Sequence, residues 1–575
     1  PIEMPGISNL FDYPLEVVDK IFESNVGDTQ WHKKVEDYFA NILVDSYSMI
    51  DNFGTRPVKC MRSYQLVKFR CMIQDMLDPE IFVDCCQIRN NKTGKLYYKT
   101  SRLRDNLIVD VSEEPLLESS SCITKDRHVY RCISIPASND WTIKRLDTNP
   151  DDAGKRKFAG DVSGEKRLRT DSNADTSGFS SLILPRQLQF CLVKIYKDFD
   201  VLLLNDMVEF IGVLNSELEE SEIETGRLDA AEGRTENQPS IHVLSWHKLS
   251  HCNPLLPTSF THCPLTMGVG EFTQMRESLL SLLAQSLSGD SLVAEFLLTH
   301  LISSVYMRNN LLALGKFSLN LFNITAESTW ITSLYKFIEL VTERSLFLPL
   351  TLERLNQTPF TPSKDYEKEC LVSGLLQLAS NTNLVVDETQ LSTGMLDANG
   401  VKNLGALSHM ISWQKVSYDF KYHQLEYDSN VPVLILSEGK SVLPCDVGLP
   451  VARTNQLNGA AFKCLSDDQL NMIRKYLTIV KSIKYSIGED MRPVSGIHYN
   501  LIPYSPNTSQ VIEQDFVMMR QQDPSVSGDD LHKLLSFARL LAISCGHTKL
   551  TPEFWDKAKA LDIRRKHAVS TFVRN

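Results

Sequence analysis

The run Asn383-Leu384-Val385-Val386-Asp387-Glu388 constrains this chain more than any other stretch. Three apolar residues ending in two carboxylates read as a buried strand that delivers Asp387 and Glu388 to the carboxyl edge of a parallel sheet, where ligands of α/β folds gather. P-loop ATPases use this arrangement to hold magnesium and aim a water. A second apolar run, Val431 to Ser437, is interrupted by Pro432 and closed by Gly439. It reads as a neighbouring buried strand with Ser437 at its end.

A phosphate cradle should accompany these strands, and the sequence does not supply one. The P-loop pattern G-x-x-x-x-G-K-[ST] wraps phosphates in backbone amides while its lysine neutralises them. The turn Ala284 to Ser291, ahead of a helix, has one glycine, no lysine, and Asp290 where anions would bind. Gly315-Lys316 does not replace it: Asn310 stands at the first glycine position and Phe317 at the Ser/Thr position. Asp387 and Glu388 are therefore read as a vestigial Walker B pair, remnants or strand caps rather than magnesium ligands. No catalytic residue, cofactor site or metal site is assigned.

At 575 residues the chain is too long for one core, so several domains are expected. The first, residues 1–60, is a helical segment. Val17, Val18, Ile21 and Phe22, then Trp31, Val35, Tyr38, Phe39 and Ile42, mark two amphipathic helices, the second capped at Asp28-Thr29. Residues 61–215 follow as short strands: Leu66–Ile73, Ile81–Ile88, Leu96–Thr100, His128–Pro136, Gln189–Lys197 and Asp206–Leu214. Hairpin turns between them suggest an OB-like barrel. Such barrels bind single strands by aromatic stacking in a basic groove. Tyr64, Phe69, Tyr97 and Tyr98 are the candidates to stack, with Lys92, Lys95, Lys99, Arg102 and Arg104 to track phosphates. Asp75, Asp78, Glu80 and Asp84 share the region, which favours a protein-contacting barrel over direct nucleic-acid binding. Cys85-Cys86 in a strand should place one thiol in the core and one toward the surface.

Residues 147–181 interrupt the barrel with few apolar side chains, and disorder is expected there. The insert carries Lys155-Arg156-Lys157 and Lys166-Arg167-Leu168-Arg169, two basic clusters in the manner of a bipartite nuclear import signal. Residues 216–240 form an acidic linker. The α/β domain is expected over 241–505, beginning with a strand at Ile241–Leu244. Helices are predicted at Phe272–Leu287, Ser291–Val305 and Ile331–Val341, and a strand at Lys316–Phe322. A helical lid closes the chain over 506–575. There Leu531, Leu534, Leu535, Ala538, Leu541 and Ala542 form one apolar stripe, and Trp555, Ala558 and Leu561 another.

A net charge of −11 argues against broad nucleic-acid binding. The longest apolar region, Leu279–Val305, is broken by Gln285, Gly289, Asp290, Glu295 and His300, and so is not a membrane span. Pro1–Asn9 lacks signal-peptide order, and the first residue is not Met, which leaves the native terminus open. Thirteen scattered cysteines without a C-x-x-C pair suggest reduced thiols in cytosol or nucleus. His251-Cys252 and His262-Cys263 offer four zinc ligands, but at a spacing that fits no ribbon or finger, with Pro254 and Pro257 between.

Several stretches resemble the minichromosome maintenance (MCM) complex-binding proteins. These are Val67-Lys-Phe-Arg-Cys-Met-Ile-Gln-Asp-Met76, Cys191-Leu-Val-Lys-Ile-Tyr196, Val208-Glu-Phe-Ile-Gly212, Asn253-Pro-Leu-Leu-Pro257, the segment Gly289–Ser303, Leu371–Leu378 and Trp413-Gln-Lys-Val416. The resemblance runs from about Trp31 to Arg565. It implies a nuclear, non-catalytic partner of the replicative helicase subunits. Such a partner would bind them in place of one ring member and help in assembly, storage and removal from chromatin, with a link to sister-chromatid cohesion. Chromatin association would then be indirect.

An OB barrel, an ATPase-type core and a helical lid are also the plan of the MCM subunits, so the expected architecture is a degenerate AAA+-like subunit mimic. His532 would stand where those subunits carry a nucleotide-sensing arginine, and no Ser-Arg-Phe-Asp follows the Ser437 strand to supply an arginine finger. The alternative is a single-stranded-DNA-binding replication adaptor acting through the barrel.

Overall fold

The computed structural model describes residues 11–28, 30–54, 58, 61–116, 122–144, 189–216, 238–257, 268–309, 312–452, 457–483 and 506–574. The basic insert, 147–181, and residues 217–237 of the acidic linker lie outside the described residues.

Two amphipathic helices, Pro14–Ser24 and Trp31–Ser46, open the described chain. Their apolar stripes meet edge to face at Phe22 and Trp31, ring centroids 4.9 Å apart. Both stripes pack onto Leu66, Ile211, Val213 and Leu244 of the sheet that follows. The expected cap differs. The residue at the start of the second helix is Gln30, with no side-chain cap, and the Asp28 carboxylate accepts the Gln30 amide instead at 2.9 Å. Asp28 stands two residues ahead of the N-cap position, Gln30, too early to reach the helix's free amides.

The first sheet comprises β1 (Asp51–Asn52), β2 (Leu66–Met76), β3 (Glu80–Asn90), β4 (Leu96–Lys99), β5 (Glu113–Pro115), β6 (Cys122–Ser134), β7 (Phe190–Ile195), β8 (Met207–Asn215) and β9 (Ser240–Lys248). Its order is β1-β2-β8-β9-β7-β6-β3-β4, and β2 also pairs with β6. Strands β2, β8, β9, β7 and β6 therefore close into a five-stranded ring, antiparallel except for β7 and β9. Val67, Phe69, Cys71, Ile73, Cys132, Val193 and Phe210 fill it.

This corrects the placement of the strand at Ile241–Leu244. It completes the ring rather than opening the α/β unit. Long-range pairing across the acidic linker decides its membership, and Gly212 makes the approach possible. There β8 bulges against β9, and a β-carbon at 212 would stand 2.2 Å from the His242 carbonyl oxygen.

Two small hairpin strands, β10 (Met307–Asn309) and β11 (Leu312–Leu314), precede β12 (Leu319–Phe322). Then come β13 (Ser345–Pro349), β14 (Ser363–Asp365), β15 (Cys370–Val372), β16 (Asn383–Asp387), β17 (Lys415–Asp419), β18 (Gln424–Asp428), β19 (Val433–Leu436) and β20 (Val447–Pro450). Five of these form one sheet of order β13-β16-β19-β12-β20, every pair parallel.

The period-2 alternation sends side chains to two separate cores. Leu384, Val386, Val433 and Ile435 join the cluster under helix Ala398–Trp413 and the small sheet β15-β14-β17-β18. Val385, Leu434 and Leu436 join the other, with helices Val269–Ser286, Ser291–Ile302, Thr329–Val341 and Asp467–Ser482. Burial on both faces is why these strands read as unbroken apolar runs. The terminal helices Gly528–Ser544 and Pro552–Arg574 enter that second core with the predicted stripes. Phe537 stacks on Phe296 with centroids 4.4 Å apart.

The ring and the parallel sheet are joined by specific contacts. Asn205 donates to the Tyr418 hydroxyl at 2.7 Å, the Asp75 carboxylate accepts the Leu371 amide at 2.7 Å, and the Trp141 indole donates to the Thr342 carbonyl at 2.8 Å.

Candidate functional site at the carboxyl edge of the parallel sheet

Asp387 ends β16 and Glu388 begins the short turn after it, so the sheet delivers both carboxylates to its carboxyl edge. Neither is free there. The Asp387 carboxylate accepts the Thr389 amide at 3.1 Å and the Thr389 hydroxyl at 2.6 Å, capping its own turn. Glu388 reaches the loop after β19, where it accepts the Ser441 hydroxyl at 2.7 Å and the amides of Val442 and Leu443 at 3.3 Å each. Burial pushes its carboxyl above the usual range, and the three donors only partly offset that. Ser437, just past β19, has its one hydroxyl proton shared between the Asn320 side-chain oxygen at 3.0 Å and the Gly439 carbonyl at 2.8 Å.

The parallel order identifies β12 as the strand beside β19, so the strand-to-helix turn at this edge is 323–328, ahead of helix Thr329–Val341. Neither Ala284–Ser291 nor Gly315-Lys316 is this turn. Ala284–Ser291 is a turn between two helices, and Lys316 lies at the amino edge of β12, paired with Asp446 at 2.7 Å. The turn reads Asn323-Ile-Thr-Ala-Glu-Ser328, with neither glycine nor lysine. Its first amides are occupied: Asn323 donates to the Glu438 carbonyl at 3.1 Å and Ile324 to the Ser437 carbonyl at 3.2 Å. The Asn323 side chain donates to the Val451 carbonyl at 2.8 Å. A phosphate needs such amides unpaired. Here they fasten the turn onto the loop after β19. The sequence signal for this turn is the strand carrying Leu319 and Leu321, followed by polar residues and a helix.

His532 lines a cleft of about 270 Å³ with Lys316, Ser318, Asp446 and Trp413, which neither Asp387 nor Glu388 touches. Burial lowers its imidazole pKa.

The residues proposed for single-strand binding do not assemble into a groove. Phe69 is fully buried inside the ring, edge-on to Phe53 at 4.9 Å, and so cannot stack a base. Its place in the alternation turns it inward. Arg104 pairs with Asp19 at 2.5 Å, while Arg102 faces Asp84 at 3.6 Å and Glu36 at 3.8 Å. Both guanidiniums thus fasten the opening helices to the ring. Lys99 pairs with Glu113 at 2.6 Å, and the Tyr97 hydroxyl donates to the same carboxylate. Tyr64 packs against the helix-facing core, and Lys92, Lys95 and Tyr98 remain at the surface.

Lys155, Arg156, Lys157, Lys166, Arg167 and Arg169 lie outside the described residues, as do His262 and Cys263. Cys252 is buried, its sulfur accepting from the Arg344 guanidinium at 3.1 Å. Among the described residues no three His, Cys, Asp or Glu side chains are placed to hold a metal. Cys86 is buried and Cys85 half-buried, as strand alternation predicts, and burial pushes both thiols up, to about 12 and about 11.

The chain matches a family model described as mini-chromosome maintenance replisome factor over residues 41–181 and 165–569. A protein of Gallus gallus named mini-chromosome maintenance complex-binding protein is 34% identical over 636 residues, 98% of each chain. The Homo sapiens protein of the same name is 34% identical over 646 residues with the same coverage. The Drosophila melanogaster one is 33% identical over 577 residues, 90% of this chain and 92% of its own.

Proposed function

The chain belongs to the mini-chromosome maintenance replisome factor family, and we propose that it is a non-catalytic nuclear binding partner of the MCM helicase subunits. It acts in their assembly, stabilisation or unloading during DNA replication by standing in for a ring subunit. The observation that carries this reading is the full-length similarity to proteins named for binding that complex. The architecture supports the mimicry. A closed five-stranded ring with a single parallel pair fits an OB-type barrel, and the sheet order β13-β16-β19-β12-β20 fits a AAA+-type core with a helical lid.

The occupied turn amides and the fully engaged Glu388 support a core that no longer turns over ATP. A subunit-shaped chain meets its neighbours through the heterologous faces that close a ring. Its hold on chromatin is then indirect, through the helicase. Entry into the nucleus is assigned to the two basic clusters at 155–157 and 166–169. Among the described residues no helix is long and apolar enough to cross a membrane.

Affinity purification of the full chain from nuclear extract at moderate salt tests the reading. Recovery of helicase subunits is the expected result. Recovery of the chain without any of them would replace this reading with the adaptor one, for which the check is oligonucleotide binding that weakens steeply with salt.

A further inference from the structure

At the opposite edge of the parallel sheet from Asp387 and Glu388 lies a cavity of about 1010 Å³. Its walls are the amino ends of β13 and β16, the last turns of helix Asp467–Ser482 and the carboxyl-terminal part of helix Gly528–Ser544. The volume is at the upper end of the range that holds cofactor-sized ligands, about 300–1,000 Å³.

The charges lining this cavity do not balance. Three cations, Arg344, Lys481 and Arg539, share it with one carboxylate, Glu343. Glu343 is already engaged: it accepts the Cys252 amide at 2.7 Å, the Thr478 hydroxyl at 3.0 Å and the edge of the Arg344 guanidinium at 3.4 Å. Arg539 lies over the Tyr306 ring, 3.6 Å from its centroid. Arg344 is 2% exposed, and its Nε has no partner. The buried Asn383 Oδ1 has none either. The Lys481 amine has no acceptor among the described residues. Burial, with Arg344 close by, holds its pKa down to about 8 despite Glu343. Lys481 is half-buried and lines this cavity.

Two cations on one wall whose single carboxylate, Glu343, already holds three donors are costly unless a further anion joins them. The rest of the wall is largely apolar, from Ile302, Val341, Val480 and Leu540. We propose that this cavity binds an organic anion whose phosphate or carboxylate sits between Lys481 and Arg344 and whose apolar body fills the remainder. The site lies apart from the carboxyl edge and does not depend on the helicase-binding reading.

Binding is measured on the full-length chain by calorimetry and thermal unfolding, with hexyl phosphate, hexanoate and uncharged hexanol as probes. One of the two anions should bind and raise Tm well beyond hexanol, and which one does so identifies the acid group. Lys481→Met, which removes the buried charge and should fold at least as well, should weaken that anion roughly 10- to 100-fold. Lys481→Arg should restore most of the affinity.

A second readout separates a direct contact from a structural effect. Above pH 8 the free amine is losing its proton, so anion binding should take one up, giving a calorimetric heat that varies with buffer ionisation enthalpy. The other titratable groups facing Lys481 are Glu343, Arg344, Tyr306, His300, His251 and Arg539, and burial pushes the Tyr306 hydroxyl up, so it keeps its proton. Burial keeps both histidines neutral at this pH, so the uptake should vanish in Lys481→Met. The proposal is overturned if neither anion outperforms hexanol on the wild-type chain, or if Lys481→Met binds as the wild type does.

Discussion

The backbone amide of Ile324 donates to the carbonyl of Ser437 across 3.2 Å. With the neighbouring bond from Asn323 to Glu438, it closes the turn that would have to open around a phosphate. Hydrolysis needs the γ-phosphate clamped and its developing charge stabilised, and an arginine finger alone contributes roughly 10³ to 10⁵ in rate. The turn 323–328 has no lysine or arginine, and the loop 438–446 after Ser437 has no arginine. The purified chain should show no ATP binding by calorimetry and no phosphate release above a buffer blank. Glu388→Gln should leave helicase-subunit recovery unchanged. If that variant trapped bound ATP, an active ATPase would replace the present reading.

The engagement of Glu388 by Ser441, Val442 and Leu443 makes a stability prediction of its own. Glu388→Ala leaves three donors at a poorly hydrated edge and should cost about 1–3 kcal/mol in urea unfolding. Glu388→Gln keeps an acceptor oxygen and removes a carboxylate whose charge burial disfavours. Its cost should be under about 1 kcal/mol. Equal losses in the two variants would mean that the carboxylate charge, rather than the acceptor, holds the loop.

What the sequence made legible follows burial. Strands β16 and β19 are covered on both faces and read as apolar runs, and the alternating strands, β12 and those of the ring, were equally plain. Hairpin β17–β18 is written Lys-Val-Ser-Tyr-Asp and Gln-Leu-Glu-Tyr-Asp, and β18 is largely exposed. It carried no run to notice. Helix Ala398–Trp413 opens with Ala-Asn-Gly, poor helix-forming sequence that is set in place by the Asp397 cap. At the candidate site the two carboxylates were visible. Their partners, 53 to 55 residues onward, were not, because only the fold brings that loop across.

Import should depend on charge in the insert. Replacing Lys155, Arg156, Lys157, Lys166, Arg167 and Arg169 by Ala removes six positive charges and should shift a fluorescent fusion from nucleus toward cytoplasm. The ratio of nuclear to cytoplasmic fluorescence is the measurement. An unchanged ratio would transfer import to another segment or to a partner that carries the chain in.

The last prediction concerns the joint between the opening helices and the ring. Glu209 on β8 is fully buried, paired with the Arg70 guanidinium on β2 and accepting the Tyr47 hydroxyl at 2.6 Å from the end of the second helix. Glu209→Ala strands Arg70 without a counter-ion and should cost about 3–5 kcal/mol. It should also speed proteolytic cleavage near Tyr47. Burial by itself would raise the Glu209 carboxyl's pKa, but Arg70, His247 and the Tyr47 hydroxyl together outweigh it, so the folded value lies below the ordinary 4.5. A depressed carboxylate stabilises the fold above its unfolded pKa, and the benefit is lost as pH falls through the folded one. Wild-type stability should therefore decline below about pH 4.5 more steeply than that of Glu209→Gln, which has no carboxylate to protonate. Parallel acid limbs for the two proteins, followed by tryptophan fluorescence, would show that other carboxylates govern the acid transition and that this pair only fixes geometry.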